Sequence, residues 1–349
     1  MPAAIWLRRL ALVGLLLCFG VVVLGAYVRL SAAGLGCPDW PGCYRHLTPV
    51  GAEENAATQE AYPGRPLDVG KAWREMVHRY AASTLGLIIV IIAALSIATR
   101  RQGIVPLGFA FALLGIVVMQ GMLGMLTVTW NLKPLIVTLH LLFGLTTLSL
   151  LWWLWLSLPR GTGAAVRGAG SLFIRLPLSA GEGRDGRTTR KLLLVALIAL
   201  TCQIALGGWT SSNYAAVACP DFPTCQGRWW PQTDYRDAFV LWRGLGVNYE
   251  GGVLTNPARV AIHLTHRIGA GVASLALLVA SLAVFLQPAL RSARGPSLAV
   301  LAALALQLTI GIGMVLKGFP LPVAAAHNAG AALLLLATLA LFRRVSRFC

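Results

Sequence analysis

Cut at its charged residues, the sequence leaves eight uncharged, mostly apolar runs: 10–28, 80–99, 102–132, 134–159, 192–220, 268–290, 295–316 and 318–342. None is shorter than 19 residues. About 20 apolar residues cross a hydrocarbon core of ~30 Å as a helix, and lipid leaves the backbone no alternative except a closed barrel. Barrel strands would alternate over ~10 residues, and these runs do not alternate. The chain therefore reads as an all-α polytopic membrane protein with eight transmembrane helices. The first run has no persuasive small-residue cleavage site before Arg29 and reads as helix one rather than a removable signal peptide. A composition of 57% hydrophobic and 12% charged residues excludes an ordinary soluble enzyme, which carries roughly 25% charged residues.

The net charge of +17 would suggest nucleic acid on a soluble chain, but the placement of the charges suggests insertion instead. Sixteen of the 29 basic residues, from Arg8 and Arg9 to Arg343, Arg344 and Arg347, fall at the termini or in the even-to-odd connections. By the positive-inside rule both termini are cytoplasmic. Nine of the twelve acids fall in two long loops on the opposite side, roughly 31–74 and 211–257. No nucleic-acid partner is expected; the lipid bilayer is.

The sequence also repeats. Cys-Pro-Asp-Trp-Pro-Gly-Cys at 37–43 recurs as Cys-Pro-Asp-Phe-Pro-Thr-Cys at 219–225, an offset of 182. His78-Arg79 recurs as His266-Arg267, Gln120 and Gly124 as Gln307 and Gly311, and His140 as His327, at offsets of 187 or 188. The simplest organisation is a tandem pair of four-helix bundles related by a pseudo-two-fold axis along the membrane normal. The expected units are 1–159 with outer loop 31–74, a Gly/Arg/Ser-rich cytoplasmic linker at 160–190, and 191–349 with outer loop 211–257.

His78, His140, His266 and His327 lie near the outer ends of helices two, four, six and eight, counted at 1.5 Å per residue. A single buried histidine is commonly a hydrogen-bonded core residue, but ionisable groups inside membranes are expensive and functional by default. Two matched pairs at similar depth favour function. Two imidazoles from neighbouring helices can bracket a haem iron in a bundle core, whereas zinc or copper would want three or four ligands. Arg79 and Arg267 are candidates for propionate partners, with interfacial snorkelling as the alternative.

One asymmetry separates the two units. Glu75 precedes His78 by three residues and shares its helix face, whereas the matching position in the second unit is His263. A reactive site is therefore expected in the first unit, and an electron-transfer or structural haem in the second. The alternative for Glu75 is an interfacial carboxylate paired with Arg74 or Arg79. Cys37 with Cys43 and Cys219 with Cys225 sit in loops on the oxidising side and are expected to form disulfides, as staples or as thiol redox centres. Cys18 and Cys202 read as apolar fillers, Cys349 has no evident partner, and His46 reads as solvated.

Taken together, Glu75-Met-Val-His78-Arg79, the second His-Arg at 266–267, His140, His327, the Cys-Pro-Asp-x-Pro-x-Cys loops and Arg29-Leu-Ser-x-x-Gly-Leu-Gly resemble the haem A synthase family, in its bacterial form with paired loop cysteines. The resemblance covers nearly the whole chain outside 160–190. It implies oxidation of the C8 methyl group of haem O to a formyl group through two successive hydroxylations, by way of haem I, to make haem A for a haem-copper terminal oxidase. It implies His78 and His140 around the substrate haem, Glu75 as the catalytic carboxylate, and haem b as cofactor on His266 and His327. It further implies a bacterial cytoplasmic membrane location, haem O synthase and terminal-oxidase assembly factors as partners, an electron acceptor that the sequence does not identify, and room for a homo-oligomer. Because a bis-histidine haem leaves no open position for dioxygen, electron removal followed by water attack is the favoured chemistry. Two competing readings are a membrane b-type cytochrome that only passes electrons, and a haem carrier for oxidase assembly.

Overall fold

The computed structural model describes residues 2–53, 60–159 and 184–346. Its long helices are α1 (Pro2–Leu30), α2 (Val69–Ala98), α3 (Leu107–Thr129) and α4 (Pro134–Ser157). They continue as α5 (Arg184–Ser212), α6 (Asn256–Leu286), α7 (Arg294–Leu316) and α8 (Leu321–Val345). All eight are long and apolar enough to cross a membrane. Among the described residues the only β pairing is one isolated bridge in each cysteine loop. The protein is a multi-pass, all-helical membrane protein.

Helix ends depart from the uncharged runs where charge sits at an end rather than stopping the helix. α2 and α6 begin 11 and 12 residues before the runs at 80 and 268. The Asp68 side chain caps α2 by accepting the Lys71 N–H at 2.9 Å, satisfying one of the donors a helix start leaves open, and Pro257 occupies the first turn of α6. α5 begins at Arg184, inside the stretch assigned to the linker. Arg187, Arg190 and Lys191 are good helix formers whose long side chains can reach water from a helix end. Residues 160–183 of the linker and Cys349 lie outside the described residues.

Each set of four helices closes a ring. α1 packs on α2 and α4, and α3 touches α2 and α4; α5 packs on α6 and α8, and α7 touches α6 and α8. The rings meet along α1–α8, α4–α5 and α4–α8, a pattern that exchanging α1 with α5 and α4 with α8 maps onto itself. Close approach at the seam rests on Gly208: a Cβ there would fall 3.1 Å from Leu141 and 3.3 Å from Thr138 of α4. Small residues serve this purpose between membrane helices. Arg29 ties the seam from α1, donating to the Ser211 carbonyl at 2.7 Å and the Ser212 carbonyl at 3.3 Å, with its guanidinium over the Tyr214 ring.

The main apolar core lies in the half of the bundle away from the cysteine loops, where Leu7, Ile92, Leu151, Leu193, Leu277 and Leu341 are buried together. Arg8 closes that end by donating to the Trp155 and Leu158 carbonyls. The four site histidines occupy the other half, toward the cysteine loops.

Candidate functional site

The two cysteine loops fold alike. Disulfides join Cys37 to Cys43 and Cys219 to Cys225. Asp39 accepts the backbone N–H groups of Tyr44 and Arg45 at 2.7 and 2.8 Å, and Asp221 accepts those of Gln226 and Gly227 at 2.6 and 3.0 Å. In each loop these two donors lie at positive φ, a turn that short acidic side chains stabilise. The Thr224 hydroxyl chiefly, with these N–H groups adding to it, holds the Asp221 carboxyl below its usual range although burial, the second-largest influence, pushes it up. His46 does not hang free: its backbone pairs with that of Cys43.

Each loop is gripped by the arginine that follows a histidine. Arg79 donates to the carbonyls of Asp39, Pro41 and Gly42 at 2.9, 3.2 and 2.5 Å. Arg267 donates to those of Thr224, Cys219 and Asp221 at 2.8, 3.1 and 2.7 Å. Both guanidiniums, candidates from sequence for propionate contacts, are thus built into the loops.

Glu75 sits where loop and helix meet. The residue is 4% exposed, and its carboxylate pairs with Arg79 at 2.5 Å and accepts the Cys37 backbone N–H at 2.9 Å. The ion pair with Arg79 is the alternative weighed from sequence, and it leaves the carboxylate on the face that also carries His78. In the second ring His263, also 4% exposed, accepts the Arg267 Nε–H at 3.3 Å. The arginine clamp is shared by both rings; the carboxylate belongs to the first.

His78 and His140 lie within electrostatic range of each other, and so do His266 and His327. His78 and His266 are nine and ten residues into their helices, about 14–15 Å along the axis, rather than just inside the ends. Each imidazole also faces a glycine on the preceding helix. A Cβ on Gly25 or Gly311 would lie 2.9 Å from the Cε1 of His78 or His327, and one on Gly124 or Gly207 would lie 3.3 or 3.2 Å from that of His140 or His266. Gln120 and Gln307 place their amide nitrogens 3.4 Å from the Nε2 atoms of His140 and His327. Gln203 donates to His266 Nδ1 at 3.0 Å.

These surroundings fit a haem ligand set. Among the described residues the Nδ1 atoms of His78, His140 and His327, and that of His263 as well, are buried without a hydrogen-bond partner, a costly state for a polar group. Four glycines let the rings lie directly against the backbone of the neighbouring helix. Among the described residues no group of three or more His, Cys, Asp and Glu side chains is arranged for a metal ion. Gly25, Gly207 and Gln203 were not singled out from sequence. Gly25 and Gly207 share the 182-residue offset of the cysteine loops, a signal that could have found them.

A family model described as cytochrome oxidase assembly protein, COX15-CtaA, matches residues 8–339. A protein of Shewanella oneidensis named heme A synthase is 41% identical over 333 residues, 95% of this chain and 93% of its own length. Proteins of the same name from Rhizorhabdus wittichii and Paracoccus denitrificans are 28% and 29% identical, covering 96% and 89% of this chain and 91% and 80% of theirs.

Proposed function

The chain belongs to the COX15-CtaA family of cytochrome oxidase assembly proteins, and from that premise we propose that it is a haem A synthase, oxidising the C8 methyl group of haem O to a formyl group. The observation that carries this reading is the asymmetry of the two rings: a buried carboxylate, Glu75, beside the first histidine pair, and His263 at the same place beside the second. A protein that only carried electrons would give that difference no task.

On this reading His78 and His140 hold the substrate haem, while His266 and His327 hold haem b. Haem b there supplies one-electron redox chemistry. Gly25 and Gly124 let the imidazoles of the first pair pack directly against the neighbouring helices, and Gly207 and Gly311 do so for the second. Glu75, fixed by the Cys37 N–H and Arg79, is held one helical turn from His78. There it can take a proton from a water attacking the methyl carbon or stabilise positive charge developing on that carbon. Arg79 positions Glu75 and the loop together. We further place the protein in a bacterial cytoplasmic membrane with termini inside and cysteine loops outside, receiving haem O from its synthase and working beside terminal-oxidase assembly factors. The two rings would be the repeated functional units.

The test is pigment extraction. The purified protein should yield haem b together with haem O, I or A, and Glu75→Ala should keep its haem spectrum while haem O accumulates. Unchanged haem A in the variant would overturn the assignment.

A further inference from the structure

Besides the histidine sites, the face that carries the cysteine loops holds a cavity of about 420 Å³. Its wall includes Pro38, Tyr62 and Arg65 from the first long loop and Val128, Thr129 and Asn131 from the end of α3. Its position follows from helix geometry. Val128 is four residues beyond Gly124, so it lies on the same face of α3 and about 6 Å closer to the loops; Gly124 is the residue facing His140. On the other wall, Pro38 follows Cys37, whose N–H binds Glu75. The cavity therefore lies on the loop side of Gly124, which faces His140, and beside Cys37, which binds Glu75.

The charge in this cavity is Arg65. Its guanidinium donates to the Asn131 side-chain oxygen, a neutral acceptor, and it has no carboxylate partner among the described residues. The contrast with Arg79 is direct, since Arg79 spends its donors on Glu75 and three loop carbonyls. Arg65 itself is held in place. Its N–H donates to the Tyr62 carbonyl at 2.9 Å, and its carbonyl accepts the Tyr44 hydroxyl at 2.8 Å. Asn131 is fixed in turn by the second long loop, whose Tyr249 N–H donates to its carbonyl at 3.1 Å.

A haem carries two ionised carboxylate side chains on one edge, and in a membrane that edge turns toward water. A guanidinium whose donors, among the described residues, are taken up only by Asn131 is pre-positioned at the watery end of the site to match a carboxylate bidentately. We propose that Arg65, with Asn131, seats a propionate of the substrate haem in this cavity and so sets which edge of the macrocycle faces the loops and which methyl group reaches Glu75. This rests on the reading of the first histidine pair as the substrate site.

The experiment uses full-length protein carrying His266→Ala and His327→Ala, so that only the first pair binds, titrated with haem O and with its dimethyl ester and followed by the bis-imidazole absorption spectrum. The parent should bind the free acid about tenfold more tightly than the ester. Arg65→Gln should weaken the acid about tenfold and leave the ester unchanged, and Arg65→Lys should keep most of the preference. An acid preference that survives in Arg65→Gln, or is missing in the parent, overturns the assignment of Arg65 and leaves the haem site standing. If Arg65→Gln binds neither form, Arg65→Lys decides: a kept preference upholds the proposal and a lost one overturns it. If neither form binds the parent while His78 and His140 are intact, the substrate-site reading fails and this inference falls with it.

Discussion

The carboxylate of Glu75 accepts the backbone N–H of Cys37 at 2.9 Å, so the acid that distinguishes the first ring is tied to the first residue of a disulfide-closed loop. Through Arg79 it is tied to the middle of that loop as well. Loop geometry and carboxylate position are therefore one mechanical unit in the first ring. In the second ring the same clamp ends on His263.

That difference predicts unequal effects of opening the loops. Cys37→Ser with Cys43→Ser releases the N–H that fixes Glu75 and should lower haem A formation by about 10²-fold, within the range general acid–base groups supply. Cys219→Ser with Cys225→Ser frees no carboxylate and should cost haem retention before it costs the chemistry. Haem extraction from both double variants checks this, and equal loss of haem A at equal haem content would refute it.

Replacing the glycines that face the histidines should expel haem in order of how close the new Cβ falls. Gly25→Ala, at 2.9 Å from the His78 ring, should do more damage than Gly124→Ala, at 3.3 Å from that of His140. In the second ring Gly311→Ala should outweigh Gly207→Ala, at 2.9 against 3.2 Å. Overpacking of this kind costs about 1–3 kcal/mol, roughly 5- to 150-fold in affinity. Haem titration of the four variants gives the ranking directly.

Glu75→Gln should separate charge from position. Glutamine retains an oxygen for the Cys37 N–H but cannot take a proton, so haem content should hold while haem A formation falls by about 10²–10⁴-fold. Removing the charge also leaves Arg79 without its ion pair, which is costly in a buried setting, so the thermal midpoint should fall too. Wild-type haem A yield in this variant would remove Glu75 from the chemistry.

The second cysteine loop should be sensitive to acid. Thr224 and two backbone N–H groups depress the Asp221 pKa in the folded state, relative to about 3.9 in an unfolded chain. The resulting stability is complete above that value and is lost as pH falls through the lower folded-state value. Wild-type protein should then unfold more readily below about pH 4, approaching the Asp221→Asn variant, while the gap between them stays constant nearer neutrality. A gap that does not narrow in acid would contradict this.

Much of the architecture was legible because lipid leaves few choices: eight long uncharged runs gave eight spans, and the repeat of His, Gln and Gly positions pointed to matched sites. Gln120 and Gly124, legible in the sequence only as repeated positions, touch or face His140. Helix starts were less legible, since Arg79 and Arg267 interrupt apolar runs yet lie well inside α2 and α6. Charge marks an interface; it does not mark a helix end when loop carbonyls take up the guanidinium. Arg65 could not be read from sequence, because its meaning depends on Asn131, 66 residues away, meeting it across a cavity.

Gly207 faces His266 in its own ring, while the next residue, Gly208, lets α5 lie against Thr138 and Leu141 of α4. Two consecutive positions of one helix therefore answer to two different neighbours, a histidine of its own ring and a helix of the other. Lipid-facing surfaces of the two repeats are free to drift apart over evolution, but at this seam any added methyl is felt on one side or the other. The tandem copies can specialise in chemistry, as Glu75 and His263 do, while remaining locked in register at the wall they share.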